Sequence, residues 1–182
     1  TKTVYFVYSG EVMLYNLTKH GNRKVIFILG KGQLLNQSIV SKKPNALFCE
    51  AVCPVKVIEI AEEQFLQLME QSHALTRAVL REYERNLWRM GHQLKNTTGN
   101  MQMERKIAAK LWKLGRDFGV DTEDGVMIDI DLTITLMADL VGAPRENVSR
   151  ACKVLTDRGL IRYGNKRFIL TDSDGLAEFY KM

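Results

Sequence analysis

The sequence predicts an α+β fold: an antiparallel β domain, a long amphipathic helix, then a small domain of short helices that ends in a β-hairpin. Three observations carry this prediction. Residues 1 to about 60 run as short β-type segments punctuated by Gly and Asn, with no ten-residue helical pattern among them. From about Ala74 the apolar residues recur at alternating spacings of three and four. From Leu132 to Leu170 the chain reads as two short helices joined by a tight turn and followed by a hairpin.

In the first segment, Val4-Tyr5-Phe6-Val7-Tyr8 is strand-like and Ser9-Gly10 ends it. Val12 and Leu14 alternate with Met13 and Tyr15, His20-Gly21-Asn22 reads as a hairpin turn, and Val25, Phe27 and Leu29 form the return strand. Gly30-Lys31-Gly32 breaks the pattern, and a last strand, Val55 to Ile60, follows Pro54. Such a segment folds as a small antiparallel sandwich or barrel. The chain opens at Thr1 directly in strand-like sequence, so an N-terminal piece is expected to precede it.

The period then changes. Phe65, Leu68 and Met69 suggest a short helix, and a longer one starts near Ala74. Leu80, Tyr83, Leu87, Met90 and Leu94 form an a/d heptad seam, which suits a helix pairing with its own copy; the alternative is an amphipathic helix packed on its own β domain. Each side chain buried there contributes ~1.5–3 kcal/mol. The stretch from Asn96 to Asn100 reads as a hinge. The expected divisions are therefore 1–73, 74–100 and 101–182. In the last of these, Ile107, Leu111 and Leu114 stripe a helix that Trp112 flanks, and Met127 to Leu132 alternates as a short strand.

Thr133 suits the N-cap of a helix over Ile134–Val141, whose apolar face holds Ile134, Met137, Ala138 and Val141. Gly142 stops it, and Pro144 suits the first position of the next helix. That second helix buries Val148, Cys152 and Leu155 and carries Glu146, Ser149, Arg150 and Lys153 on the other side, with Arg145 in its first turn. This is a helix-turn-helix. Its polar side offers what a major-groove reader needs: arginine pairs bidentately with guanine, glutamate accepts from cytosine N4, and serine adapts. Leu140 to Leu170 holds seven Lys/Arg against two acids, whereas Asp117 to Asp139 holds seven acids and no base. A basic run beside an acidic one marks a phosphate-facing surface.

TLMADLVGAPRENVSR resembles the helix-turn-helix of the cyclic-AMP receptor protein and fumarate-nitrate reduction regulator (Crp/Fnr) family. Arg145, Glu146, Ser149 and Arg150 satisfy both of the family's patterns, R-E-x-x-x-R and E-x-x-S-R. LTDRGLIRYGNKRFIL is similar to its L-x-x-x-G-L-I and two-stranded wing, and YFVYSGEVMLY with the Gly30/Gly32 turn resembles its effector-binding β-roll. The resemblance implies an N-terminal antiparallel β-roll of the cyclic-nucleotide-binding-like jelly-roll type, a long dimerisation helix and a C-terminal winged helix-turn-helix. It implies a cytoplasmic bacterial transcription regulator, homodimeric, that meets double-stranded DNA at an inverted-repeat operator with TGA in each half-site, works with RNA polymerase and senses a small-molecule effector. Glu146, Ser149 and Arg150 are expected at base edges with Lys153 beside them, Arg145 at a guanine, and Thr133, Thr135, Lys166 and Arg167 at phosphates.

Cyclic-nucleotide-binding members of that family carry a glutamate for the ribose and an arginine for the cyclic phosphate. The corresponding stretch is Gly32 to Ala51. Its glutamate position falls on Gln37 and its arginine position on Asn45 or Leu47, and there is no arginine from Lys24 to Thr76. The effector is therefore expected not to be cyclic AMP, and its pocket to involve Leu34, Leu35, Gln37, Asn45, Leu47 and Cys49. The competing reading is a sensory or adaptor module whose winged helix contacts protein rather than DNA.

Composition excludes other classes. The 182 residues are 46% hydrophobic with a net charge of +5, and no apolar run approaches the ~20 residues of a membrane span. Residues 1–100 carry 13 bases and 8 acids, and residues 101–182 carry 13 of each, so overall charge says less than the local run. Three irregularly placed cysteines suggest no disulfide framework and fit a reducing cytosol. Cys49 and Cys53, on one expected strand, lie too far apart to bridge unless Pro54 ends the strand early. No nucleophile–base constellation, phosphate loop or metal-ligand spacing points to an enzyme or a metal site, and no cofactor is indicated.

Overall fold

The computed structural model describes residues 3–19, 21–36, 38–41, 43–97 and 101–181, with side chains in the segment ending at 97 described to Gln93. The expectations at His20 and Gln37, at residues 98–100 of the expected hinge, and for the side chain of Leu94 lie outside the described residues. The chain divides into two compact units, Thr1–Lys95 and Asn96–Met182. The first holds β1 (Thr3–Ser9), β2 (Val12–Leu17), β3 (Arg23–Leu29), β4 (Phe48–Ala51), β5 (Lys56–Ala61), α1 (Glu62–Gln71) and α2 (His73–Thr97). The second holds α3 (Met103–Phe118), β6 (Gly119–Thr122), β7 (Gly125–Ile128), α4 (Ile134–Val141), α5 (Arg145–Asp157), β8 (Ile161–Gly164), β9 (Arg167–Leu170) and α6 (Ser173–Lys181).

In the first unit β1 pairs antiparallel with β5, and β2 lies between β3 and β4. As the middle strand of three, β2 departs from the expected alternation: Val12, Met13 and Leu14 are all buried. A bulge at Leu14/Tyr15 then shifts the register, placing Tyr15 opposite Val25. The Gly30-Lys31-Gly32 break is a turn in which Gly32 takes φ +81° and donates to the Val7 carbonyl at 2.8 Å. Asn36, the buried polar residue of this core, extends the edge of β1 with its amide: it accepts from Tyr5 N–H (2.8 Å) and donates to the Thr3 carbonyl (2.9 Å). Phe65 of α1 and Val79 of α2 close over Val4, Leu34 and Ile39 as one apolar cluster.

In the second unit α3 buries Ile107, Ala108, Leu111 and Leu114, the predicted stripe and one alanine. The wing is not an isolated ribbon. β9 pairs with β8 and also with β7, giving a four-stranded sheet in the order β6-β7-β9-β8. Sequence reasoning assigned no element to β6 or to α6. Gly125 at the β6–β7 turn takes φ +121°, and a Cβ there would stand 2.2 Å from the Leu170 carbonyl oxygen. The predicted strand over Met127 to Leu132 ends at Ile128, yet its alternation persists in burial: Ile128, Ile130 and Leu132 point inward. No helix among the described residues is long and apolar enough to cross a membrane.

Candidate nucleic-acid interface

The two helices of the motif form for the expected local reasons. The Thr133 hydroxyl accepts from Leu136 N–H at 3.0 Å, capping α4. Gly142 takes φ +71°, and its N–H bonds the Ala138 carbonyl at 2.8 Å, ending the helix in a left-handed turn. Pro144, expected as the first helical residue, instead caps α5 from extended backbone (ψ 141°), and its carbonyl accepts from Asn147 and Val148 N–H. α4 buries Met137, Ala138 and Leu140, with Ile134 and Val141 only half-buried. α5 buries Val148, Ala151, Cys152 and Leu155. Burial in that apolar packing pushes the Cys152 thiol up to about 11.

The opposite side of α5 is exposed along its length: Arg145, Glu146, Ser149, Arg150 and Lys153 all reach solvent. Arg150 donates from Nη2 to Asn147 Oδ1 at 2.7 Å, one turn earlier on the same helix. Sequence reasoning did not single out Asn147, although its i, i+3 spacing from an arginine was visible. Thr135 is exposed on α4, and Thr133 is half-buried by its capping role.

The wing tip is a two-residue turn with φ +50° at Asn165 and +60° at Lys166, the type I′ geometry of tight hairpins. Lys166 is exposed. Arg167, expected at a phosphate, has its guanidinium engaged by two carboxylates, with Nη1 on Asp129 and Nη2 3.5 Å from Asp131. Arg162 likewise pairs with Asp124, and the Arg158 guanidinium lies 4.9 Å from the Phe179 ring centroid. The basic run is therefore partly neutralised by the acidic run before it. The two runs follow one another in the chain, but the residues that pair lie 38 and 36 positions apart and are brought together by the pairing of β7 with β9.

In the first unit, the residues expected to line an effector pocket do not behave alike. Leu34 is buried with Val4, Ile39, Phe65 and Val79 and bridges to Phe6. Leu35 and Leu47 pack half-buried against Leu14, Phe27 and Leu29, while Asn45 and Cys49 are exposed. Cys53 lies past the end of β4, where its thiol donates to the Glu11 carboxylate at 2.9 Å, and none of Cys49, Cys53 and Cys152 is in a disulfide. Among the described residues no three His, Cys, Asp or Glu side chains converge on a metal-sized site.

The heptad seam of α2 divides. Leu80, Leu87 and Met90 are exposed, Leu87 by 72%. Tyr83 turns instead to its own β domain, packing on the Val4–Phe65 cluster with its hydroxyl bonded to the Ile39 backbone, and burial raises its pKa. The domain-facing side continues through Glu82, which accepts from Gln33, then Arg89 over the Phe27 ring, and Gln93, which donates to the Ile26 carbonyl.

A β-roll with a long helix, followed by a capped helix-turn-helix and a paired wing, defines a DNA-binding regulator with a separate sensing domain. Comparison with known families agrees: the Cyclic nucleotide-binding domain family matches residues 1–72, and the Crp-like helix-turn-helix domain family matches residues 105–179. The CRP-like cAMP-activated global transcriptional regulator of Mycobacterium tuberculosis is 25% identical over 175 residues, covering 96% of this chain and 78% of that protein. The Global nitrogen regulator of Nostoc sp. is 25% identical over 167 residues, covering 90% and 74%. Among solved structures, FixK2 from Bradyrhizobium japonicum shares the fold with a TM-score of 0.81 at 20% identity, covering 97% of this chain and 86% of that one. The chain belongs to the Crp/Fnr family of transcription regulators.

Proposed function

We propose that this regulator is a homodimer that places two α5 helices in successive major grooves of an inverted-repeat operator with TGA at the core of each half-site. The observation that carries the reading is the division of α5 into one fully buried face and one fully exposed face bearing Arg145, Glu146, Ser149, Arg150 and Lys153. Glu146 accepts from a cytosine N4 amino group, and Arg145 and Arg150 pair with guanine, Arg150 pre-oriented by Asn147. Thr133, Thr135 and Lys166 meet phosphates, which fix register without reading sequence. The exposed stripe of Leu80, Leu87 and Met90 supports dimerisation through α2, which spaces the recognition helices by ~34 Å. The regulator acts in the cytoplasm with RNA polymerase as its downstream partner.

The effector is a molecule other than cyclic AMP. Relatives sharing this fold are named for different effectors, cAMP in the Mycobacterium protein and c-di-GMP in CLP of Xanthomonas campestris. This chain has no arginine from Lys24 to Thr76 to meet a cyclic phosphate. Leu35, Asn45, Leu47 and Cys49, with Gln37 between them in sequence, are the candidate contacts.

Selection from randomised duplexes with wild type and Glu146→Ala tests the DNA reading. The wild type should return an inverted repeat, and the variant should lose stringency at one base pair per half-site, about 1–3 kcal/mol of discrimination. Identical motifs of equal stringency would show that α5 is not the reader.

A further inference from the structure

We propose that Arg167 is a positioning residue for DNA reading: it clamps the wing onto the extended segment that leads into α4, so that Lys166 and the start of α4 meet the duplex as one body. The proposal deepens the DNA-binding reading and rests on it. Arg167 begins β9, and its guanidinium bridges Asp129 and Asp131. Those aspartates alternate with Ile128, Ile130 and Leu132, all buried, so the backbone that carries the two carboxylates is pinned to the core. One residue before Arg167, the Lys166 carbonyl accepts from Leu132 N–H at 2.7 Å. A backbone link and a side-chain link thus tie the wing tip to the residues immediately preceding Thr133, the cap of α4. Asn165 suits the left-handed backbone of this turn (φ +50°), but Lys166 holds it too (φ +60°), a conformation that such a residue keeps only where the surroundings impose it.

Charge argues in the same direction. Two carboxylates around one guanidinium leave the cluster net negative, which is unsuited to attracting a phosphate. Geometry explains the residue type: a planar fork reaches two carboxylates at once, whereas an ammonium is a point charge. Lys166, one position earlier and exposed, is left as the wing's phosphate contact.

Binding of the full chain to its selected duplex, measured across a salt series, tests the proposal. Arg167→Ala should weaken binding about three- to five-fold, the scale of an exposed ion-pair network, with the slope of log K against log salt unchanged. Arg167→Lys should weaken it as much, because restoring charge does not restore the bridge. In a chain already carrying Asp129→Asn and Asp131→Asn, Arg167→Ala should cost nothing further. Lys166→Ala is the control and should reduce the slope by about one. Amide exchange at Leu132 should quicken in both Arg167 variants while Leu155 stays protected, which separates loss of the clamp from unfolding. The proposal is overturned if Arg167→Ala reduces the salt slope by about one, if Arg167→Lys keeps wild-type affinity, or if Arg167→Ala costs the same with and without the aspartates. Absence of salt-dependent duplex binding by the wild type would instead overturn the DNA reading itself.

Discussion

At the scale of single residues, the unit behind the recognition helix is organised by what each polar group touches. Arg150 leans on Asn147, Arg162 on Asp124 and Arg167 on Asp129 and Asp131, so basic residues of one sequence run serve different ends. Cys152 is the titratable group drawn deepest into the apolar packing of α5, and burial holds its thiol protonated up to about 11. A pKa raised from 9.0 means that the unfolded chain releases its proton first as pH rises. The contribution is therefore fully present below pH 9 and is lost between about 9 and 11, on the order of 2 kcal/mol in all. Urea unfolding at pH 8 and pH 10.5 should show a larger stability loss in wild type than in Cys152→Ala. Equal losses in the two proteins would show that the thiol ionises as readily folded as unfolded.

At the scale of elements, α4 was legible in its bounds because cap and stop are local signals: Thr133 and Gly142 lie within ten residues and need no distant partner, whereas Leu140 is buried in place of the expected Ile134 and Val141. α2 was legible in length but not in orientation. Its 3-4 spacing fits both a seam with a second copy and a face for its own domain, and Tyr83 belongs to the latter. What remains outward is Leu80, Leu87 and Met90, with Trp88 beside them, its ring tilted against that of His92. Placing carboxylates in that stripe with Leu80→Glu and Leu87→Glu should convert the dimer to monomers in sedimentation, leaving the thermal transition of the β domain in place. A dimer that survives both changes would rule out this face of α2.

At the scale of the whole molecule, the chain folds as two compact units, each with its own buried core. The first unit has no arginine from Lys24 to Thr76, where the proposed reading of the pocket would need one for a cyclic phosphate. Calorimetry with cyclic AMP and with cyclic GMP should accordingly show no binding at micromolar concentration. Micromolar affinity for either would mean that another cation, such as Lys43, takes the arginine's place.

The amino-acid sequence by itself determined the fold class, the helix-turn-helix with its caps, and the wing. Those depend on periodicity and on residues with special backbone preferences, both readable within a short window. Only the tertiary structure decided which charges remain available, that Leu34 is buried with Val4 and Phe65, and that β6 and β7 join the wing in one sheet. Those outcomes depend on pairings between residues some forty positions apart, such as Asp129 with Arg167 or Met127 with Ile169. Long-range pairing leaves no local signature, because burial and charge neutralisation are settled by which surfaces meet and not by the order of residues along the chain.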